Sequence, residues 1–76
     1  NESFAVFVPT SLNTAKVLIE IAGHTYELFD YNKSSVFTNT LPAPEQPGVY
    51  VGNIVLVDIA NNSSRFEKAI RISVTS

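Results

Sequence analysis

The 76-residue chain has no cysteine and no tryptophan, and only five lysines and arginines. Without cysteine, neither a disulfide framework nor a thiolate metal site can hold it together, so its stability has to come from packing and sheet hydrogen bonds. The five basic residues are nowhere clustered and are outnumbered by seven acidic ones, for a net charge of −2. A polyanion finds no complementary surface on such a chain, which argues against nucleic acid and anionic membrane as partners. The longest apolar run, Phe4 to Val8, stops at five residues, far below the roughly 20 of a membrane-crossing helix. Asn1-Glu2 offers no basic leader region, so the segment reads as an excised mature module. Its length allows one domain with one modest core.

Catalytic chemistry is equally sparse. Nucleophilic catalysis needs a base beside a nucleophile, and the chain has one histidine and no cysteine. His24 falls in a glycine turn, where a solvated role is expected. No glycine-rich phosphate loop, no pair of histidines at ligand spacing and no nucleophile elbow occurs. Glycosidases need only two carboxylates, and Glu20 and Glu27 lie on strands joined by the Gly23 turn and could pair across it, but on a two-sided sheet such a pair is expected to be just solvated. The expectation is a chain that is not an enzyme and holds no cofactor.

What is present is strand. No apolar spacing of three and four persists over ten residues, and β-branched and aromatic residues fill every apolar segment. Six strands are predicted: Phe4–Val8, Lys16–Ile21, Thr25–Asp30, Val36–Leu41, Val49–Ile59 and Phe66–Val74. Gly23 between two alternating runs predicts a tight hairpin, making the second and third strands antiparallel neighbours. "LPAPEQPG" carries three of the four prolines and predicts an extended crossing loop. Short strands at this spacing predict an all-β, two-sheet antiparallel sandwich or small barrel.

The segment "PGVYVGNIVLVDIANN" resembles the penultimate strand of bacterial and archaeal immunoglobulin-like modules, whose pattern is Pro-Gly-x-Tyr, an alternating strand, then Asp-x-Ala-Gly-Asn. Pro47, Gly48 and Tyr50 match its start, and Asp58, Ala60 and Asn62 its end. Asn61 stands where glycine is usual, a residue that also tolerates left-handed backbone. "AKVLIEIAGHTYELFDYNKSSVFTNTLPAP" is similar to the preceding strands, so the resemblance covers nearly the whole chain. It extends to fibronectin type III and cadherin-like modules and implies an immunoglobulin-like sandwich of six to seven strands. Six is one short of the usual count, and an open edge would invite strand addition.

The resemblance also implies residue roles. Tyr50 takes the place of a tyrosine corner, its ring inward and its hydroxyl on the backbone of the preceding loop, or else is a plain core tyrosine; Gly48 and Gly23 serve their turns. Asp58 and Asn62 resemble loop residues that bind Ca²⁺ in cadherin-like modules, but the usual acidic partners are missing, and an Asx role toward the Ala60–Ser64 turn fits better. Four Asn-x-Ser sequons occur, at Asn1, Asn32, Asn61 and Asn62. Asn32 and Asn62 fall in predicted exposed loops, where a glycan could be carried in a secreted protein.

With Tyr50 inward, alternation sends Gly52, Ile54, Leu56 and Asp58 to the core side and Val51, Asn53, Val55, Val57 and Ile59 outward. Phe66, Lys68, Ile70, Ile72 and Val74 share the inward parity of the last strand, and Tyr26 and Leu28 that of the third. The family's topology implies a sheet of the third, fifth and sixth strands with the long one central. Its outer face would then gather Val51, Val55 and Val57, flanked by Phe29 and Tyr31 and rimmed by Glu27, Glu67 and Arg71. An apolar centre with a polar rim is a contact surface; the alternative is valine chosen for strand propensity and covered by long neighbours.

Two functions follow. One is a spacer or docking module of an extracellular or cell-surface protein, contacting neighbouring modules or another copy, with a pilus or surface-layer subunit as a variant. The other is a carbohydrate-binding or accessory module of a secreted hydrolase, in which Phe29, Tyr31 and Phe37 would supply stacking platforms. The absence of tryptophan favours the first.

Overall fold

The computed structural model describes residues 3–75. Six strands run in chain order: β1 (Ser3–Pro9), β2 (Thr14–Ile21), β3 (His24–Leu28), β4 (Val36–Pro42), β5 (Gly48–Asp58) and β6 (Ser63–Val74). All pairings are antiparallel, and they build a two-stranded sheet, β1-β4, against a four-stranded sheet in the order β3-β2-β5-β6. The fold is a small all-β sandwich.

Alternation decides which side chains meet between the layers. Val17, Ile19, Ile21 and Leu28 of the large sheet are buried against Val6, Phe37 and Leu41 of the small one. Tyr50, Ile54, Leu56, Ile70 and Ile72 pack against this core from β5 and β6. The inward parity expected for Tyr26, Leu28 and the even-numbered residues of β5 and β6 is the parity found, because Ile19 pairs with both Tyr26 and Ile54 and Val17 with both Leu28 and Leu56. Lys68 is the exception. Between the pairs Gly52–Ile70 and Ile54–Phe66 the register shifts, and Lys68 turns out in a bulge at φ 56°, its amide donating to Asn53 Oδ1 at 3.1 Å.

The hairpin between β2 and β3 is closed by Ala22 and Gly23, at φ 54° and 77°. Two consecutive positive φ values give the twist that antiparallel strands require of a two-residue loop. Glycine accepts this freely, whereas Ala22 bears the steric cost of a Cβ in left-handed backbone. Replacing Ala22 by Asn is therefore expected to stabilise the chain by about 0.5–1 kcal/mol. Urea unfolding checks it, and an unchanged or lower midpoint at constant m would show that the turn carries no strain.

One expected neighbour relation is wrong. The third strand does not lie beside the fifth: β2 separates them, because the short Ala22-Gly23 loop seats β3 on one side of β2 and leaves the other for β5. The third strand also ends early, at Leu28. Phe29 crosses to the small sheet, where it exchanges hydrogen bonds of 2.9 and 2.8 Å with Thr38 of β4. Asp30 organises the turn that follows, accepting from the amides of Ser34 and Ser35 at 2.9 and 3.0 Å.

Candidate contact surfaces

The outer face of the large sheet is set by register. Val55 lies between Leu18 of β2 and Arg65 of β6; Val57 lies between Lys16 and Ser63; Val51 pairs with Arg71 and Val49 with Ser73. Val49 and Val51 stand 55% and 51% exposed, whereas Leu18, Val55 and Val57 are half-buried. The difference follows from the pairing: β2 pairs with β5 no further than Asn53, so Val55 and Val57 have a paired strand on both sides and Val49 and Val51 only β6. Arg65 reaches across β5 to Glu20, Nη2 to Oε1 at 2.7 Å, and Asn53 Nδ2 donates to the same carboxylate at 3.3 Å. This polar bridge divides the apolar stripe into a covered part, Leu18-Val55-Val57, and an open part, Val49-Val51. Leu18 belongs to the face although its sequence pattern did not single it out; the signal was its parity opposite to Val17 and Ile19.

Phe29 and Tyr31 do not flank these valines. On β3 the residue beside Leu18 is Glu27, and Phe29 has left for the other sheet. There it shares a row with Thr38 and Phe7, because Phe7 pairs with Thr38 and Thr38 bridges Phe29, so the three side chains emerge on one outer face. The Tyr31 ring lies 5.8 Å from that of Phe29, tilted by 48°. Phe7, Phe29 and Tyr31 are all exposed. Phe37 is buried between the sheets and is no stacking platform; its odd parity on β4 points it at the core.

Tyr50 is half-buried at the start of β5, and its hydroxyl donates to the carbonyl of Gln46 at 2.8 Å. Gly48 adopts φ 151°, which only glycine takes without strain. Tyr50 also lines an open cleft of about 430 Å³ together with His24, Tyr26, Pro44 and Glu45. His24 is exposed there, 5.9 Å from the Tyr26 ring.

Asp58 holds the β5–β6 turn. Oδ1 accepts from the amides of Ala60 and Asn62 at 3.0 and 2.8 Å, and Asn62 Nδ2 donates to Oδ2 at 3.4 Å. Asn61 takes the left-handed backbone at φ 65°. These donors occupy both carboxylate oxygens, and among the described residues no group of three or more metal-binding side chains forms. The backbone bond from Asn62, helped by the Asn62 side chain and Ala60 and partly offset by desolvation, holds the Asp58 carboxyl below the usual aspartate range. A depressed native pKa gives stability that is present above the unfolded-state value and lost as pH falls through the native one. The stability gap between the parent chain and Asp58→Asn is therefore expected to be full near neutrality and to close below about pH 4. A gap that thermal melts find constant from neutrality into acid would contradict the role given to the charge.

Glu20 faces Thr25 across the hairpin, and Glu27 faces Leu18, so the two carboxylates do not pair. Asn32 is exposed in the turn after β3, Asn62 is exposed but engaged with Asp58, and Asn1 lies outside the described residues. No helix of the structure is long and apolar enough to cross a membrane. Comparison with protein-family models, with curated proteins and with solved structures gives no match.

Proposed function

We propose that the chain is a non-catalytic interaction module of the immunoglobulin-like kind, a spacer or docking domain of an extracellular or cell-surface protein. The open valines on the outer face of β5 carry this reading. Strand propensity accounts for valine on β5 as such, but Val49 and Val51 stand together half in water on one face, which fits a surface that a neighbouring module covers. The strand order supports the family resemblance. With β2, β3, β5 and β6 as strands C, C′, F and G, and β1 and β4 as B and E, the order matches that of immunoglobulin-like sandwiches, and the Tyr50 bond to Gln46 lies where a tyrosine corner has it. An extracellular setting rests on the family resemblance and on the Asn32 sequon.

The exposed row Phe7-Thr38-Phe29 with Tyr31 beside it favours a second reading, a carbohydrate-binding module whose platform is the outer face of the small sheet. The two readings use opposite faces, so one pair of variants separates them. Val49→Thr with Val51→Thr should weaken association with an adjoining module by roughly tenfold or more, at about 1 kcal/mol or less of stability lost. Phe29→Ala with Tyr31→Ala should leave it unchanged and instead abolish any signal on a glycan array. Full association by the valine variant would remove the docking reading.

A further inference from the structure

The fold treats the Asn-x-Ser sequons of Asn32, Asn61 and Asn62 differently. Those of Asn61 and Asn62 run into β6, where their hydroxyl residues, Ser63 and Ser64, are already paired with Val57 and Leu56 of β5. The Asn62 side chain is engaged as well, its Nδ2 donating to Asp58 Oδ2 at 3.4 Å. A glycosyl acceptor needs the asparagine and its hydroxyl residue together, so either site would open only by unzipping the β5–β6 ladder. Asn32-Lys33-Ser34 lies outside the strands, and Tyr31, Asn32, Lys33 and Ser34 are all exposed. Asp30 holds this turn, through its carboxylate to Ser34 and Ser35 and through its carbonyl to the Lys33 amide at 3.4 Å. Such a turn can open locally without disturbing a ladder.

Charge sets the same sequon apart. Asp30 stands two residues before Asn32, in the place where the other two sequons have Ile59 and Ala60. A transferase that reads a negative charge there can use only Asn32 of the three.

Beside the acceptor lies a surface that suits a sugar. Tyr31, the residue before Asn32, is 68% exposed, and its ring lies 5.8 Å from that of Phe29, itself 42% exposed. Two adjoining aromatic faces are unfavourable as bare surface in water. The C–H face of a pyranose ring packs on them as an apolar plate while its hydroxyls stay hydrated. Neighbouring Cα atoms are about 3.8 Å apart, so a sugar carried on Asn32 Nδ2 starts one residue from the Tyr31 ring. The turn stands at the Pro9 end of the small sheet, where the Thr10 amide donates to the Ser35 carbonyl at 2.7 Å, and Ser3 pairs with Pro42 at the other end.

We infer that Asn32 is an N-glycosylation site and that the first sugar of its glycan lies on Tyr31 and Phe29. In the transfer, Asn32 Nδ2 attacks C1 of a polyprenyl-diphosphate-linked oligosaccharide. The N–C1 bond forms, the C1–O bond breaks with its electron pair leaving on the lipid diphosphate, and Nδ2 gives up one proton. The aromatic pair that could serve a free sugar is then filled by one that the chain itself carries. The inference rests on the extracellular setting proposed above, since a secreted chain is the one that meets such a transferase. It does not involve the outer valines, so the docking surface and the glycan fail independently.

The test uses the full chain, secreted behind a cleavable signal from a host that N-glycosylates, and the parent protein from its own source. Peptide mass mapping should find Asn32 occupied and Asn61 and Asn62 empty in both. With the glycan trimmed to its first sugar, the ring protons of that sugar should move upfield in the ring currents of Tyr31 and Phe29. Tm should then stand roughly 2–8 °C above that of Asn32→Gln, the effect of a contact the size of an aromatic pair. Tyr31→Ala, at an exposed position, should keep the glycan and lose both the upfield shift and most of the gain in Tm, measured against Tyr31→Ala with Asn32→Gln. An empty Asn32 in the host overturns the site. A filled Asn32 whose sugar protons are unshifted overturns the platform. Asn32 filled in the host and bare on the parent protein overturns the extracellular setting, and the inference with it.

Discussion

Gly52→Ala is expected to destabilise the chain by about 2–3 kcal/mol, the upper part of the range for overpacking a core. For a domain of this size that corresponds to roughly 10–20 °C in Tm. The position is an inward one in the middle of β5, and backbone φ is not the reason for glycine there. A Cβ would lie 2.6 Å from the Glu20 carbonyl oxygen, 2.8 Å from Ile70 Cγ2 and 2.9 Å from Ile21 Cβ. The Ile70 methyl could give way by rotation, but the Glu20 carbonyl and the Ile21 Cβ are fixed by the backbone of β2 and cannot retreat without disturbing the β2–β5 pairing. Equilibrium urea unfolding measures the loss, and a change under about 0.5 kcal/mol, the level of an ordinary surface substitution, would show that the two strands are further apart than described.

Ile19→Ala is expected to cost more, about 3–5 kcal/mol. Ile19 is fully buried, pairs with Tyr26 on one side and Ile54 on the other, and belongs to the cluster of buried residues between the sheets. A chain of this length has about 4–11 kcal/mol in total, so the variant stands at the edge of folding at 25 °C. With no disulfide, the layers are joined by this core and by the Phe29–Thr38 and Asn39–Glu27 hydrogen bonds. Far-ultraviolet circular dichroism with a urea titration reads this directly. A variant that melts within a few degrees of the parent would place the core elsewhere.

The strands and faces were legible because period-two alternation and turn chemistry are local. Tyr50, Ile54 and Leu56 turn inward as a run of alternating residues must once one of them is anchored, and Gly23 marks its hairpin by needing positive φ. Which strand lies beside which is not local. Nothing within Thr25–Asp30 says that β2 will stand between it and β5, so Phe29 and Tyr31 were expected beside valines from which a whole strand separates them. Phe29's move to the small sheet depends on Thr38, nine residues on, and on the Asp30 turn between. Arg65 bridging to Glu20 joins residues far apart in the chain, and no spacing rule encodes such a pair. Gly52 did leave a trace, since glycine inside a strand signals a bulge or a close backbone approach, and here it stands at both.

The Asp58 turn and the Tyr50 corner are fixed by short-range hydrogen bonds, and both lie in the segment that carries the family resemblance. The valines proposed for contact lie in the same segment, on the outward side of β5.

The docking proposal is tested most directly by valine methyl chemical shifts, recorded for the chain alone and joined to an adjoining module of its parent protein. Shifts should move at Val49 and Val51, move less at the half-buried Val55 and Val57 between β2 and β6, and stay fixed at the buried Val17. Shifts unchanged at Val49 and Val51 would contradict it.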